Sequence, residues 1–181
     1  FNPMMEHRAR CAFPNPEFSL GMHIRHGDKQ GERNIVEVDR FFIFAEAFVN
    51  NGGGDIYLAT DSSKVVETIL KKWPKKVSDH VVHQPSVLAL SSNETASFNL
   101  GVSPHRSNVE ALTDLLALSK CTFLLHGLSA MSEAALFLNP GLVARSINLD
   151  DEKYNDFFPD DFVKKLMPLG RNESKNEEKK N

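Results

Sequence analysis

Short apolar runs alternate with amphipathic, helix-like stretches along most of this 181-residue chain. Strand-like runs are predicted at residues 18–25, 55–60, 77–83, 121–125 and 142–149. Helices are predicted at 40–49, 61–73, 107–120, 130–138 and 157–167. Strands that alternate with helices favour parallel pairing, because each parallel connection needs a crossover segment. The sequence therefore predicts an α/β fold built on a Rossmann-like, doubly wound parallel sheet.

The chain divides into three regions by composition. Residues 1–17 carry three prolines and predict an irregular lead-in. Residues 18–168 hold the alternating pattern and predict one α/β domain. Residues 169–181 are polar and charged and predict a disordered tail. Because the sequence opens on Phe1 rather than Met, we expect it to be a piece of a longer protein.

Net charge and composition restrict which binding partners the sequence predicts. The formal net charge is −3, so no overall basic field attracts nucleic acid, and a phosphate site would have to be local. No signal peptide or long apolar run is present, so a membrane anchor is expected only upstream. The sequons at Asn93 and Asn172 favour the secretory pathway. Cys11 and Cys121 lack metal-ligand spacing, and a disulfide between them is left open.

A dense polar cluster follows the first predicted strand, with Gly27 inside it to allow a tight turn. Its members are His23, Arg25, His26, Asp28 and Lys29. Ligands of open α/β sheets bind at the carboxyl ends of strands. A planar Arg fork beside a Lys point charge suits a phosphate. The cluster therefore predicts a phosphate site, and the competing interpretation is an ion-paired strand end that only caps the sheet.

Polar residues also follow other predicted strands. Thr60 and Asp61 come after the second strand and could line a ligand pocket or simply cap the next helix. His126 and Ser129 follow the strand at 121–125. Ser129 could cap a helix, and a helix N-terminus there could also receive a phosphate. Because carboxyl ends of parallel strands share one edge, these residues are candidates for one site.

Two carboxylates elsewhere are candidates for specific roles. Asp114 lies inside an apolar helix, where it could accept hydrogen bonds from a base or a sugar, or could face water. Glu32 lies three residues beyond Lys29 in the loop at the first strand end. It could act as a general base or could be an ordinary solvated loop residue.

Four motifs together resemble one enzyme family. The run His23-Ile-Arg-His-Gly-Asp-Lys29 resembles the His-x-Arg-Arg-x-Asp-Lys motif of the α1,6-fucosyltransferases and their relatives. Residues 56–61, residues 113–125 with Ser129, and residues 148–151 resemble further motifs of that family, in the same order. The likeness covers roughly residues 18–155.

The resemblance implies a GT-B-type glycosyltransferase, of which this chain would be the C-terminal, nucleotide-sugar-binding half. The implied reaction transfers fucose from GDP-fucose to a glycan or glycoprotein acceptor, with inversion, without a metal or another cofactor. The implied location is the Golgi or another secretory lumen. By similarity, Arg25 would bind the diphosphate and stabilise the departing GDP, and Lys29 would lie near the donor phosphate or the catalytic carboxylate.

The resemblance also implies a set of substrate-binding residues. They are His23, His26, Asp28, Thr60, Asp61, Asp114 and Ser129. Among them, His23 would contact the nucleotide, Asp114 would hold the guanine, and Ser129 would hold phosphate.

The chain departs from the family pattern at two positions. The second Arg of the motif is His26 here, whose charge depends on pH. The family's catalytic base is a Glu four residues after the motif Lys, where this chain has Arg33. Glu32, one position earlier, is the candidate base.

Two other functions compete with the transferase. Arg25-His26-Gly27 matches the start of the histidine-phosphatase motif, in which the His accepts the phosphoryl group, although Lys29 replaces the second Arg. The other alternative is a GDP-sugar-binding module that has lost catalysis.

Overall fold

The computed structural model describes residues 2–26, 36–84, 101–155 and 159–170. In this part of the chain, five parallel strands form one sheet in the spatial order β3-β2-β1-β4-β5. The strands are β1 (Leu20–Ile24), β2 (Ile56–Thr60), β3 (Val81–Val82), β4 (Phe123–His126) and β5 (Ser146–Asn148). The predicted α/β fold with a parallel sheet is confirmed.

Helices cover both faces of the sheet. They are α1 (Pro3–Ala12), α2 (Val38–Asn50), α3 (Ser63–Lys72), α4 (Lys75–Ser78), α5 (Pro104–Lys120), α6 (Ala130–Leu138) and α7 (Pro159–Gly170). Short 3-10 helices span Pro140–Arg145 and Glu152–Tyr154. Residues of α2, α3 and α7 pack in one core cluster, and residues of α5 and α6 pack in another.

The first core cluster follows from the residue spacing of α2. Phe41, Phe44, Ala45 and Phe48 recur at the helical period and are all buried. They pack against the same sheet face as Met22 of β1. Successive strand residues point to opposite faces, so one face of β1 presents Met22 to α2 while its neighbours face the other side.

A glycine in β1 allows α5 to approach the opposite face closely. A Cβ on Gly21 would lie 3.1 Å from Leu118 Cδ2, 3.2 Å from Cys121 Sγ and 3.2 Å from Leu124 Cδ1. These distances are tighter than ordinary van der Waals contact, so a larger residue would push α5 away from the sheet. Gly21 therefore helps set the position of the helix that carries Asp114.

The prediction of an irregular lead-in at residues 1–17 is wrong, because α1 occupies Pro3–Ala12. The Asn2 side chain accepts a hydrogen bond from the Met4 N–H at 2.9 Å. Pro3 starts the helix, where its missing N–H costs nothing. Met5 and Ala9 then pack against Leu116 of α5.

Two predicted strands are shorter than expected. Residues 75–78 form α4, with Val77 buried, and only Val81–Val82 pair with the sheet. Residues 140–145 form a 3-10 helix, and β5 begins at Ser146. Pro74 precedes α4 and Pro140 begins the 3-10 helix, and both positions suit a helical first turn, which an apolar pattern alone does not reveal.

Helix starts differ less. Ser103 caps α5 by accepting a hydrogen bond from the Arg106 N–H at 3.3 Å, so this helix begins three residues before the predicted Ser107. The predicted helix at 130–138 matches α6.

Cys11 is exposed, Cys121 is buried, and both are free. No helix in the described ranges has the length and apolar character needed to span a membrane. The predicted disordered tail at 169–181 is wrong for residues 169–170, which belong to α7, and residues 171–181 lie outside the described residues.

Candidate functional site

A pocket of about 230 Å³ lies beyond the carboxyl ends of β1 and β2, against the N-terminal half of α5. Its described lining residues are His23, Arg25, Thr60, Asp61, Ser107, Asn108, Glu110, Ala111, Asp114 and Met131. The strand order reverses direction at β1, which pairs with both β2 and β4. Ligands of open parallel sheets bind at such a switch point, outside the carboxyl ends of the strands.

Arg25 brings a permanent positive charge to this pocket. Its side chain is 41% exposed, and its Nε lies 3.7 Å from Oδ2 of Asp61. The other carboxylate oxygen of Asp61 accepts the backbone N–H of His26 at 3.0 Å. Asp61 therefore joins the end of β2 to the residues that follow β1, and Arg25 stays at the pocket wall.

His23 contributes an uncharged imidazole. Its Nδ1 lies 2.8 Å from the hydroxyl of Ser132 on α6. Burial, with smaller contributions from His126 and Arg25, lowers the pKa of His23 to about 3. At neutral pH, His23 is therefore a neutral hydrogen-bonding group rather than a second cation beside Arg25.

Asp114 is 8% exposed and lines the pocket, so the alternative of a water-facing helix position is wrong. Its Oδ1 accepts hydrogen bonds from the Tyr57 hydroxyl at 2.7 Å and from Gln84 Nε2 at 2.5 Å. Burial raises the pKa of Asp114 to about 6, although both hydrogen bonds oppose that rise. The buried carboxylate is thus stabilised by two neutral donors.

Glu110 is a pocket residue that the sequence analysis missed. It lies one helical turn before Asp114, is 4% exposed, and lines the same pocket. Its Oε1 lies 3.3 Å from Arg106 Nε. The four-residue spacing from Asp114 is the sequence signal that could have identified it.

The described residues that line this pocket do not include the predicted site residues Ser129 and His26. They also do not include His126, the histidine at the end of β4. Ser129 caps α6, and its hydroxyl accepts the Met131 N–H at 3.2 Å. The His26 Nε2 lies 2.8 Å from the carbonyl oxygen of Val36, so this nitrogen must carry a proton and donate. His126 is 5% exposed, and burial lowers its pKa. The predicted substrate contacts of Ser129 and His26 are therefore not seen in this pocket.

Three predicted site residues, Asp28, Lys29 and Glu32, lie outside the described residues, and their roles stay predictions. In the part of the chain that the structure describes, no group of three or more His, Cys, Asp or Glu side chains could hold a metal ion.

No protein-family model matches the chain, and no curated protein matches its sequence. A solved structure of NodZ α1,6-fucosyltransferase co-crystallised with GDP aligns with a TM-score of 0.43 and 16% identity, over 76% of this chain and 42% of that one. A structure of the same enzyme soaked with GDP-fucose aligns with a TM-score of 0.45 and 17% identity, over 77% and 43%. The chain spans about two fifths of the length of those proteins.

Proposed function

We propose that this pocket binds the nucleoside diphosphate part of a GDP-sugar. We further propose that the protein is an inverting glycosyltransferase that transfers fucose from GDP-fucose to a glycan or glycoprotein acceptor. The observation that carries the proposal is the shared pocket of Arg25 and Asp114 at the carboxyl edge of a parallel sheet. One group suits a diphosphate, and the other suits a base that presents N–H donors.

Arg25 supplies the diphosphate end of the proposed site. In the proposed step, an acceptor oxygen bonds to the anomeric carbon while the bond from that carbon to the β-phosphate oxygen breaks. GDP leaves with the electron pair, and negative charge grows on its diphosphate. A fixed guanidinium at the pocket wall stabilises that charge more in the transition state than in the ground state.

Asp114 supplies the base end. Guanine presents a ring N–H and an amino group along one edge, and a carboxylate oxygen accepts from such donors. His23 lines the same pocket as a neutral partner that neither adds nor removes charge near neutral pH.

We assign the acceptor side of the reaction to residues outside the described ranges. In this proposal, Glu32 is the base that takes the acceptor proton, and Lys29 lies near the donor phosphate. The cavity of about 230 Å³ is smaller than typical ligand pockets of roughly 300–1,000 Å³. Accordingly, we place the sugar and the acceptor beyond the described pocket walls.

Transfer from a panel of nucleotide sugars, measured on the full-length protein, tests this function. GDP-fucose is expected to give transfer, and other nucleotide sugars much less. Arg25→Ala and Arg25→Lys should both abolish transfer while the protein stays folded, since a Lys cannot form the planar fork. Near-normal transfer by Arg25→Lys would contradict the bidentate phosphate role. Tight GDP binding without any transfer would select the inactive binding module instead.

A further inference from the structure

We propose that Tyr57 and Gln84 are positioning residues, which orient the Asp114 carboxylate so that its second oxygen accepts hydrogen bonds from the base of the bound nucleotide. This inference rests on the proposed function. Tyr57 lies inside the motif run at 56–61 but was not a predicted site residue, and Gln84 lies outside every motif that suggested the site.

Both donors bind the same oxygen of Asp114. The Tyr57 hydroxyl, on β2, reaches Oδ1 at 2.7 Å, and Gln84 Nε2, just after β3, reaches Oδ1 at 2.5 Å. Within the described ranges, Oδ2 takes no hydrogen bond, although Asp114 lines the pocket. The carboxylate is therefore held from two elements on one side, and its remaining oxygen is available to a ligand.

The two donors are themselves fixed. Tyr57 is fully buried, and its ring packs against Phe13 with 5.1 Å between ring centroids. Gln84 is 5% exposed, and its Nε2 also donates to the Glu110 carbonyl oxygen at 2.8 Å. Neither side chain can turn away from Asp114 without losing packing or a second hydrogen bond. Such fixed donors are what preorganises a binding group.

The same contacts help keep Asp114 ionised. Burial and the nearby Glu110 raise its pKa, whereas hydrogen bonds from Gln84 and Tyr57, and the nearby His83, lower it. The charged groups Arg25 and Asp61 line the same pocket, and Arg106 pairs with Glu110. Burial and Asp114 raise the pKa of Tyr57 far above neutrality, so its hydroxyl keeps its proton and stays a donor.

Tyr57→Phe removes only the hydroxyl and therefore tests the inference. In the full-length protein, we expect GDP affinity by calorimetry to fall about tenfold near pH 7, with about twofold from the smaller ionised fraction of Asp114 and about fivefold from its lost orientation. Loss of this donor should also move the pH midpoint of binding upward by about one unit. The deficit should then shrink by about twofold near pH 8.5, where Asp114 is ionised again. A merely structural role would give a loss that does not change with pH.

Three further variants separate the outcomes. Tyr154→Phe removes the hydroxyl of the other tyrosine, which lies away from the pocket, and should bind GDP like the wild type. Gln84→Leu should repeat the pH-dependent loss, and it serves as the test if Tyr57→Phe does not fold. In an Asp114→Asn background, Tyr57→Phe should have no further effect. Any pH dependence left there belongs to the ligand's phosphates.

The results distinguish this inference from the proposed function. If the wild type binds no GDP, the proposed function fails, and this inference fails with it. If the wild type binds GDP but Tyr57→Phe and Gln84→Leu bind it equally well, or bind it with a loss that does not depend on pH, only this inference is overturned.

Discussion

The Nδ1 atom of His23 lies 2.8 Å from the hydroxyl oxygen of Ser132, which joins the central strand β1 to helix α6. Both side chains are buried, so neither can exchange this bond for one with water. His23 also lines the pocket, and the bond therefore fixes the orientation of an imidazole at the site. Which ring nitrogen faces the ligand follows from the bond that Ser132 makes.

We predict that Ser132→Ala lowers the free energy of unfolding by about 1 kcal/mol, because it leaves a buried imidazole nitrogen without its partner. Chemical denaturation of the variant and the wild type measures the difference. Ser63→Ala, on a half-exposed position of α3, is the matched control and should change stability by less than about 0.5 kcal/mol. Equal stability of Ser132→Ala and the wild type would show that the bond does not contribute.

The low pKa of His23 predicts a loss of stability in acid. The unfolded chain binds a proton at His23 below about pH 6.5, whereas the folded chain resists it until about pH 3. The stability that His23 confers is thus present above pH 6.5 and is lost as the pH falls toward 3. The stability difference between His23→Asn and the wild type should move in favour of the variant over that range. A difference that stays constant with pH would contradict the buried, neutral state of His23.

The raised pKa of Asp114 predicts that this residue changes the stability of the fold with pH in the opposite direction to His23. It also predicts that the charge needed for GDP binding lowers that stability. Its folded pKa of about 6 is above the usual value of 3.8, so the buried charge destabilises the protein above pH 6. Asp114→Asn should therefore raise the unfolding free energy near pH 7 by about 3 kcal/mol. The gain should shrink as the pH falls through 6 toward 3.8, and GDP affinity should fall by at least about tenfold without being abolished. An Asn variant that is less stable at every pH would refute this account.

His26 allows a test of the phosphatase alternative. Its Nε2 donates to the Val36 carbonyl oxygen at 2.8 Å, so this nitrogen carries a proton and cannot attack phosphorus, and His26 is not among the described residues that line the pocket. We expect no phosphohistidine when the protein is incubated with phosphate monoesters and quenched, and mass spectrometry of the His26 peptide measures this. A trapped phosphohistidine that disappears in His26→Ala would revive the phosphatase.

The sheet could be predicted because its strands are short, apolar and separated by helical patterns, and α6 was located at its observed bounds. The helix α1 was missed because its start depends on the Asn2 cap, which offsets the signal of three nearby prolines. The apolar run around Val77 fits a helix turn as well as a strand, and tertiary packing decides between them.

The pocket could be predicted only in part. The strand-end rule placed Arg25 and Asp61 together, since parallel strands finish at one edge. Glu110 lines the pocket because of the way α5 is rotated about its axis. Sequence patterns do not show that rotation, so Glu110 was not predicted. The partners of Asp114 were likewise hidden, because Tyr57 reads as an ordinary strand residue and Gln84 as a loop residue.

Calorimetric titration of GDP into the full-length protein, alongside Arg25→Ala, is the decisive measurement for the proposed nucleotide pocket. We predict saturable binding at one site per chain, and a loss of affinity of at least about tenfold in Arg25→Ala, because a charge-assisted phosphate contact is removed. The folded state of the variant is checked by its unfolding transition. Absence of GDP binding to the wild type, or equal affinity in a folded Arg25→Ala, would contradict the nucleotide-diphosphate site.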